Sequence, residues 1–194
     1  MTASSRLLQR RTLLKAAAAG LAVAPFVLPA GAAGNAVGGA ARPRGKPGEF
    51  DFLTGEWRIQ HRRLQTPGGN DWDEFPGEAT VWAILGGVGS VEELRIPARD
   101  FSGLGLRLLD VGKGIWSDFW VNGKSGVLTA PGQTGYFENG AGIFRADEME
   151  DGKLIKVRGT WDRITPKSCR WHQTVSRDGG KHWEDNWFMD WTRA

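Results

Sequence analysis

Short runs of alternating apolar and polar residues cover most of the chain after residue 48. In the first of them, Trp57 and Ile59 fall on one side, while Arg58 and Gln60 fall on the other. An alternation with a period of two is typical of a β-strand that buries one face, whereas a helix would show a period near 3.6. Because no such helical period persists in this region, we predict an all-β domain.

Eight further runs have the same strand-like character and are separated by turn residues. They are Glu78–Leu85, Ser90–Pro97, Gly103–Asp110, Ile115–Asn122, Gly135–Phe144, Lys153–Ile164, Ser168–Ser176 and Trp183–Arg193. Glycine, aspartate and asparagine in the connections suit tight hairpins. Strands in this sequential order predict an antiparallel up-and-down β-barrel of about 8–10 strands. Phe50–Leu53 is predicted to form one helical turn before the first strand.

The beginning of the chain has the pattern of an export signal. Arg10 and Arg11 precede a short apolar run that contains two prolines and is followed by Ala30-Gly31-Ala32. This pattern is typical of a cleaved signal peptide, and the paired arginines resemble a twin-arginine signal. The apolar run is shorter than the roughly 20 residues of a membrane-spanning helix, so we predict no stable membrane span after cleavage. The predicted segments are a signal peptide (1–32), a flexible linker (33–47) and a single barrel domain (48–194), in a periplasmic or secreted protein.

The positive net charge of the chain comes from its N-terminal region. The first 47 residues hold seven of the 25 lysines and arginines and none of the 22 acidic residues. The predicted barrel is therefore acidic, and its only dense group of cations is Arg58, Arg62 and Arg63. A run this short is typical of a solvated face, so we predict no nucleic-acid partner. One cysteine and three widely spaced histidines exclude a disulfide framework and favour no metal site.

The two ends of the predicted barrel carry a family resemblance. The run Phe50-Asp51-Phe52-Leu53-Thr54-Gly55-Glu56-Trp57 contains a G-x-W element, and Arg193 ends the last predicted strand. This combination resembles the signature of lipocalins and their calycin relatives, in which an arginine from the last strand packs over the tryptophan. The chain also resembles a family of exported bacterial lipocalin-like proteins of unknown function. The resemblance implies structural roles for Gly55, Trp57 and Arg193 and brings no activity with it.

A second, local resemblance lies before the last strand. Residues 176–183, Ser-Arg-Asp-Gly-Gly-Lys-His-Trp, resemble an Asp-box, a hairpin whose aspartate holds the turn through backbone N–H groups. The motif repeats in sialidase propellers, but it occurs once here, in a chain too short for a six-bladed propeller. We therefore predict structural roles for Asp178, Gly180 and Trp183.

Tryptophan is the strongest chemical signal, with ten residues in the chain. Trp183, Trp187 and Trp191 are predicted to share one face of the last strand. In a small barrel such side chains either fill the interior or line a ligand cavity. We predict a cavity for a small apolar or aromatic molecule, and the alternative is a filled, structural barrel. The residues proposed to supply the cavity walls are Trp82, Trp116, Trp120, Trp161, Trp171, Gln173 and Trp187.

Two carboxylates interrupt apolar faces of predicted strands. Asp118 lies between Trp116 and Trp120, and Glu92 shares a face with Leu94. A carboxylate on an inward face is costly unless it is paired, so each is bonded to an arginine or placed for a ligand; with the faces reversed, both are solvated. An enzyme that uses Asp118 or Glu92 as its acid or base is therefore an alternative function. The candidate partners are Arg107, Arg158 and Arg163.

A haem-binding barrel of the nitrobindin type is a further alternative, because it needs only one axial histidine. His172 would be that ligand. The first-strand pattern of such barrels continues with glycines after the tryptophan, whereas Arg58 and Ile59 follow Trp57 here. Apart from this alternative we predict no cofactor.

Overall fold

The computed structural model describes residues 44–194, so the predicted signal peptide and most of the predicted linker lie outside the described residues. Ten antiparallel strands form a closed barrel in which each strand pairs with its sequence neighbour and β1 also pairs with β10. This confirms the prediction of an all-β, up-and-down barrel. The strands are β1 (Gly55–Leu64), β2 (Trp72–Ile84), β3 (Gly89–Ile96), β4 (Phe101–Asp110), β5 (Ile115–Asn122), β6 (Gln133–Glu138), β7 (Ala141–Glu150), β8 (Lys153–Asp162), β9 (Ser168–Ser176) and β10 (Glu184–Arg193).

The alternation in the sequence decides which side chains enter the barrel. On β1, Trp57 and Ile59 are buried in the interior, while Arg58 and Gln60 face outward. Successive side chains of a strand point to opposite faces, so one face of every strand supplies the core. The short 3₁₀ turn Asp51–Leu53, which matches the predicted helical turn, adds Leu53 to this core. Two more such turns follow β2 and β3.

One predicted strand is in fact a hairpin. The segment Gly135–Phe144 divides into the end of β6 and the start of β7, joined by Asn139 and Gly140. Both turn residues have a positive φ, of 51° and 79°. A two-residue turn of this kind matches the twist of the flanking strands and favours Asn-Gly. The Asn139-Gly140 dipeptide therefore indicates a hairpin turn in the sequence, which the prediction of a single strand missed.

The pairing of β5 with β6 is the shortest in the barrel. Only three residue pairs, from Trp116↔Gly135 to Asp118↔Gln133, join the two strands. Beyond Asp118, β5 continues to pair with β4 as far as Asn122 but no longer pairs with β6, and the connection between β5 and β6 covers residues 123–132. The inward residues at this end of β5 therefore lie beside this loop, and the loop also forms part of the wall of the cavity described below.

The residues before the barrel also contact it. The Gly45 backbone N–H donates a hydrogen bond to the Gly114 carbonyl over 2.8 Å. The last four residues of the predicted linker, 44–47, thus lie within the described part of the chain. Among residues 44–194, no helix has the length and apolar character needed to cross a membrane.

Candidate functional site

The barrel interior contains a cavity of about 250 Å³. Its apolar wall consists mostly of five tryptophans from four strands, with Leu94 and Met189 beside them. Three carboxylates, one arginine and two glutamines supply most of the polar surface. The tryptophans are Trp120, Trp161, Trp171, Trp187 and Trp191, and the polar groups are Glu92, Arg107, Asp118, Gln133, Glu148 and Gln173.

A buried cluster of three charges lies on neighbouring strands in this wall. Arg107 on β4 donates a hydrogen bond from Nη2 to Glu92 Oε2 on β3, and its Nε lies 3.5 Å from Asp118 Oδ1 on β5. The register explains this arrangement, because Arg107 pairs across the sheet with Asp118, and Glu92 pairs with Gly105. Gly105 leaves space for the cluster, since a Cβ there would lie 3.2 Å from Arg107 Nη2. Of the three arginines that the sequence offered as partners, Arg107 is therefore the one that meets both carboxylates.

The cluster carries two carboxylates and one guanidinium in a site from which water is largely excluded. Burial raises the pKa of Asp118 to about 6; Arg107 opposes this rise, and the charge of Glu92 adds to it. Burial also disfavours the charged guanidinium, but Glu92 and Asp118 outweigh that cost and hold the pKa of Arg107 above its ordinary value. Asp118 thus exchanges a proton near neutral pH, while Arg107 stays charged.

Two indole N–H groups in the cavity wall have no hydrogen-bond partner. They belong to Trp161 and Trp191, whose side chains are each only 1% exposed. Arg107 Nη1 is likewise without a partner among the described residues. Buried donors are normally satisfied, so these three unpaired groups are exceptions among the buried polar atoms of the barrel.

Glycines on two inward faces make room for the cavity tryptophans. A Cβ at Gly103 would lie 2.2 Å from Trp120 Cζ2, and one at Gly159 would lie 3.1 Å from Trp171 Nε1. Trp120 and Trp171 can therefore lie close against the backbone of β4 and β8. Sequence reasoning missed both glycines, although inward glycines in strands that face tryptophans are a signal of close packing.

His61 is a buried polar residue that the sequence prediction did not assign to a site. Its Nδ1 accepts a hydrogen bond from Trp187 Nε1 over 3.3 Å, so the ring supports one tryptophan of the cavity wall. The ring stacks on Phe75 with 4.6 Å between centroids. Its Nε2 has no partner and faces the backbone of Gly77, where a Cβ would lie 2.6 Å away.

Acid should destabilise the barrel through His61. Burial lowers the pKa of His61 from 6.5 to about 4, and the charge of Arg99 acts in the same direction. The unfolded chain therefore binds a proton that the fold excludes, so the stability contribution is complete above the unfolded pKa and is lost as the pH falls towards 4. Between about pH 7 and about pH 4.5, we expect the natural protein to lose about 2–3 kcal/mol more unfolding free energy than His61→Gln. Urea unfolding at both pH values measures this difference, and equal losses would contradict it.

Three tryptophans do not line the cavity or share the strand face that the sequence predicted for them. Trp82 is on the outer surface and 47% exposed, because Val81 and not Trp82 is the inward residue of β2 at this point. Trp116 points inward but is completely buried beyond the cavity, where its Nε1 donates to Glu49 Oε2 over 2.9 Å. Trp183 precedes β10 and a bulge follows it, so it does not share the face of Trp187. The other predicted wall residues, Trp120, Trp161, Trp171, Gln173 and Trp187, all line the cavity, as do Glu92 and Asp118.

His172 lies outside the barrel and is not placed to hold a haem in the lumen. Its ring stacks on Phe188 and lies between Asp162, at 3.7 Å, and Asp185, at 3.5 Å. None of the cavity-lining residues is a histidine. The donor set of the described lumen therefore does not fit an axially ligated haem. Within residues 44–194, no group of three histidine, cysteine, aspartate or glutamate side chains is positioned to hold a metal ion.

The two motif segments form structural contacts. The Arg193 guanidinium lies 3.9 Å from the Trp57 ring centroid and donates to the carbonyls of Phe52 and Thr54. Gly55 permits this approach, since its φ is 119° and a Cβ would lie 2.7 Å from Arg193 Nη1.

In the Asp-box-like turn, Asp178 Oδ1 accepts hydrogen bonds from the backbone N–H groups of Lys181 and His182. Gly180 has a positive φ, and Trp183 Nε1 donates to its carbonyl over 3.2 Å. All three predicted residues therefore take part in the local structure of the turn, on the outside of the barrel.

One of the solved structures that resemble this chain is a protein of unknown function from the DUF3598 family of Nostoc punctiforme, with 12% sequence identity and a TM-score of 0.43. The match covers 80% of this chain and 53% of that protein, so the chain spans about half of its length. The sequence matches no protein-family model and no curated protein. The lipocalin-like family stays a prediction from the G-x-W element and Arg193.

Proposed function

We propose that the barrel binds a small, planar, largely apolar molecule in its lumen. The observation that carries this proposal is a cavity of about 250 Å³ whose wall contains five tryptophans and two unpaired, buried indole N–H groups. Ligand sites are typically concave and aromatic, with a few polar groups that orient the ligand. A cavity of this size suits a molecule of one or two rings.

The alternative of a filled structural barrel gains less support from the same interior. A filled lumen would leave no space between these side chains, whereas a cavity of about 250 Å³ remains here although Trp161 contacts Trp191 and Trp171 contacts Trp187. Here the Trp161 and Trp191 N–H groups stay unpaired.

The proposal also includes export, with the N-terminal region acting as a twin-arginine signal for a binding protein that folds before it crosses the membrane.

Ligand binding can be tested with an uncharged aromatic probe. Benzyl alcohol should bind the full chain in isothermal titration calorimetry, and Trp171→Ala should weaken that binding about tenfold through lost ring contact. Trp82→Ala is the matched control, because this tryptophan lies on the outer surface of the barrel. The affinity of this variant for benzyl alcohol should equal that of the natural protein. Native mass spectrometry of the purified chain tests in parallel for a co-purified molecule. No probe binding and no co-purified mass would overturn the proposal.

A second candidate function, acid–base catalysis, is favoured by the raised pKa of Asp118 inside the cavity. A carboxylate that titrates near the working pH, in a site shielded from water, is suited to proton transfer. A direct test is the base-promoted ring opening of 5-nitrobenzisoxazole, in which removal of the ring C–H proton breaks the N–O bond. Catalysis should rise with pH through about 6 and fall about 10²-fold in Asp118→Asn. A rate equal to that of the buffer would exclude this candidate.

A further inference from the structure

We infer that the lumen ligand is a cation, an aromatic or other apolar molecule that carries an ammonium group, and that Asp118 is its counterion. This inference rests on the proposed binding function and adds the charge of the ligand to it. It follows from the balance of charges in the cavity wall and from the character of the surrounding side chains.

The charged side chains that line the cavity are predominantly negative. Among the described lining residues, Glu92 on β3, Asp118 on β5 and the exposed Glu148 on β7 are negative, and Arg107 on β4 is the single cation. Glu92 and Arg107 form a hydrogen-bonded ion pair and are 2% and 4% exposed. Asp118 is left with only the second, longer contact to Arg107, at 3.5 Å. The buried cluster therefore has one negative charge more than it can pair.

A buried charge is costly unless a counter-charge accompanies it. An ammonium group beside Asp118 would complete the cluster, whereas a carboxylate ligand would place a third negative charge against it. The pKa of Asp118, which burial raises, is consistent with a carboxylate whose partner is incomplete.

The aromatic wall also suits a positive charge. The faces of tryptophan rings attract cations, and desolvated cation–π contacts are stronger than exposed ones. The protein already uses this interaction here, since the Arg107 guanidinium lies 5.2 Å from the Trp161 ring centroid and 5.3 Å from that of Phe50.

Three probes of the same ring and different charge test the inference. Benzylammonium, benzyl alcohol and benzoate are titrated calorimetrically into the full chain at about pH 7.5, above the pKa of Asp118. We expect benzylammonium to bind about tenfold more tightly than benzyl alcohol, and benzoate to bind most weakly. Asp118→Asn, which keeps the side-chain shape, should remove the advantage of the cation, so that benzylammonium binds no more tightly than benzyl alcohol. Asp147→Asn is the control: it removes one negative charge from β7 outside the cavity lining, where Asp147 pairs with Lys156, and it should keep the preference.

A pH series on the natural protein gives an independent measurement that requires no variant. The preference for benzylammonium over benzyl alcohol should diminish as the pH falls below about 6, because Asp118 then takes up a proton. Equal affinities for the three probes, or tighter binding of benzoate, would overturn the inference and leave the binding function standing. Binding of none of the three would overturn both.

Discussion

Replacing Arg107 by methionine is expected to lower the free energy of unfolding by about 3–5 kcal/mol at about pH 8. Among residues 44–194, Arg107 is the single cation that contacts both Glu92 and Asp118, and all three lie in the barrel wall. Methionine fills much of the space but leaves two buried carboxylates side by side without a counter-charge. Removing one partner of a buried ion pair costs more than the pair itself contributes, because the remaining charge is still desolvated.

The pH dependence of this variant identifies the cause of the loss. Arg107 opposes the rise that burial causes in the pKa of Asp118, so without Arg107 that pKa rises further and the folded variant binds a proton that the unfolded chain does not. Its deficit should therefore shrink as the pH falls from about 8 to about 5. Chemical denaturation at both pH values measures the effect. A deficit that is independent of pH would show that packing, and not charge, accounts for it.

Arg95→Met is the matched control for charge removal. Arg95 bonds to Glu78 and Glu93 on the outer face of the barrel, where solvent reaches all three side chains. Exposed ion pairs contribute about 0–1 kcal/mol. A loss at Arg95 as large as that at Arg107 would contradict the role assigned to burial.

The alternation of apolar and polar residues carries most of the information on the fold. It is sufficient for β1, where Trp57 and Ile59 point inward as predicted. It fails where adjacent residues are both apolar, as at Val81 and Trp82, because the alternation then does not show which of the two points inward. The structure chooses Val81 for the interior. The bulge between Asp185 and Trp187 also breaks the alternation of inward and outward side chains along β10, and no local sequence pattern marks it.

The cavity could be predicted only in part, for a related reason. The inward position of Asp118 follows from its place between two tryptophans on one strand. Its contact with Arg107 depends on the register between β4 and β5, which is a property of the pair of strands. The space for Trp120 depends on Gly103 on the neighbouring strand. These contacts depend on which residues of neighbouring strands lie opposite each other, whereas the sequence pattern shows only which residues of one strand share a face.

Replacing Trp57 by alanine is expected to lower the free energy of unfolding by about 3–5 kcal/mol, the range for large aromatic side chains removed from a core. Trp57 is 1% exposed, and its Nε1 donates to the Leu53 carbonyl over 2.6 Å. Its ring packs edge-on against Trp191 at 5.8 Å and lies beneath the Arg193 guanidinium. The substitution therefore removes a buried ring, a hydrogen bond and a cation–π contact at the junction of β1 and β10.

Trp82→Ala provides the comparison, because it removes the same side chain from the outer face of β2. Its effect should stay within about ±0.5 kcal/mol, as for surface substitutions without special contacts. Urea unfolding of both variants, followed by circular dichroism, gives the two free energies under the same conditions. Similar losses in the two variants would contradict the structural role of the G-x-W element. A large loss at Trp57 alone would support that role, because the contacts of Trp57 with Trp191 and Arg193 join the first strand of the barrel to the last.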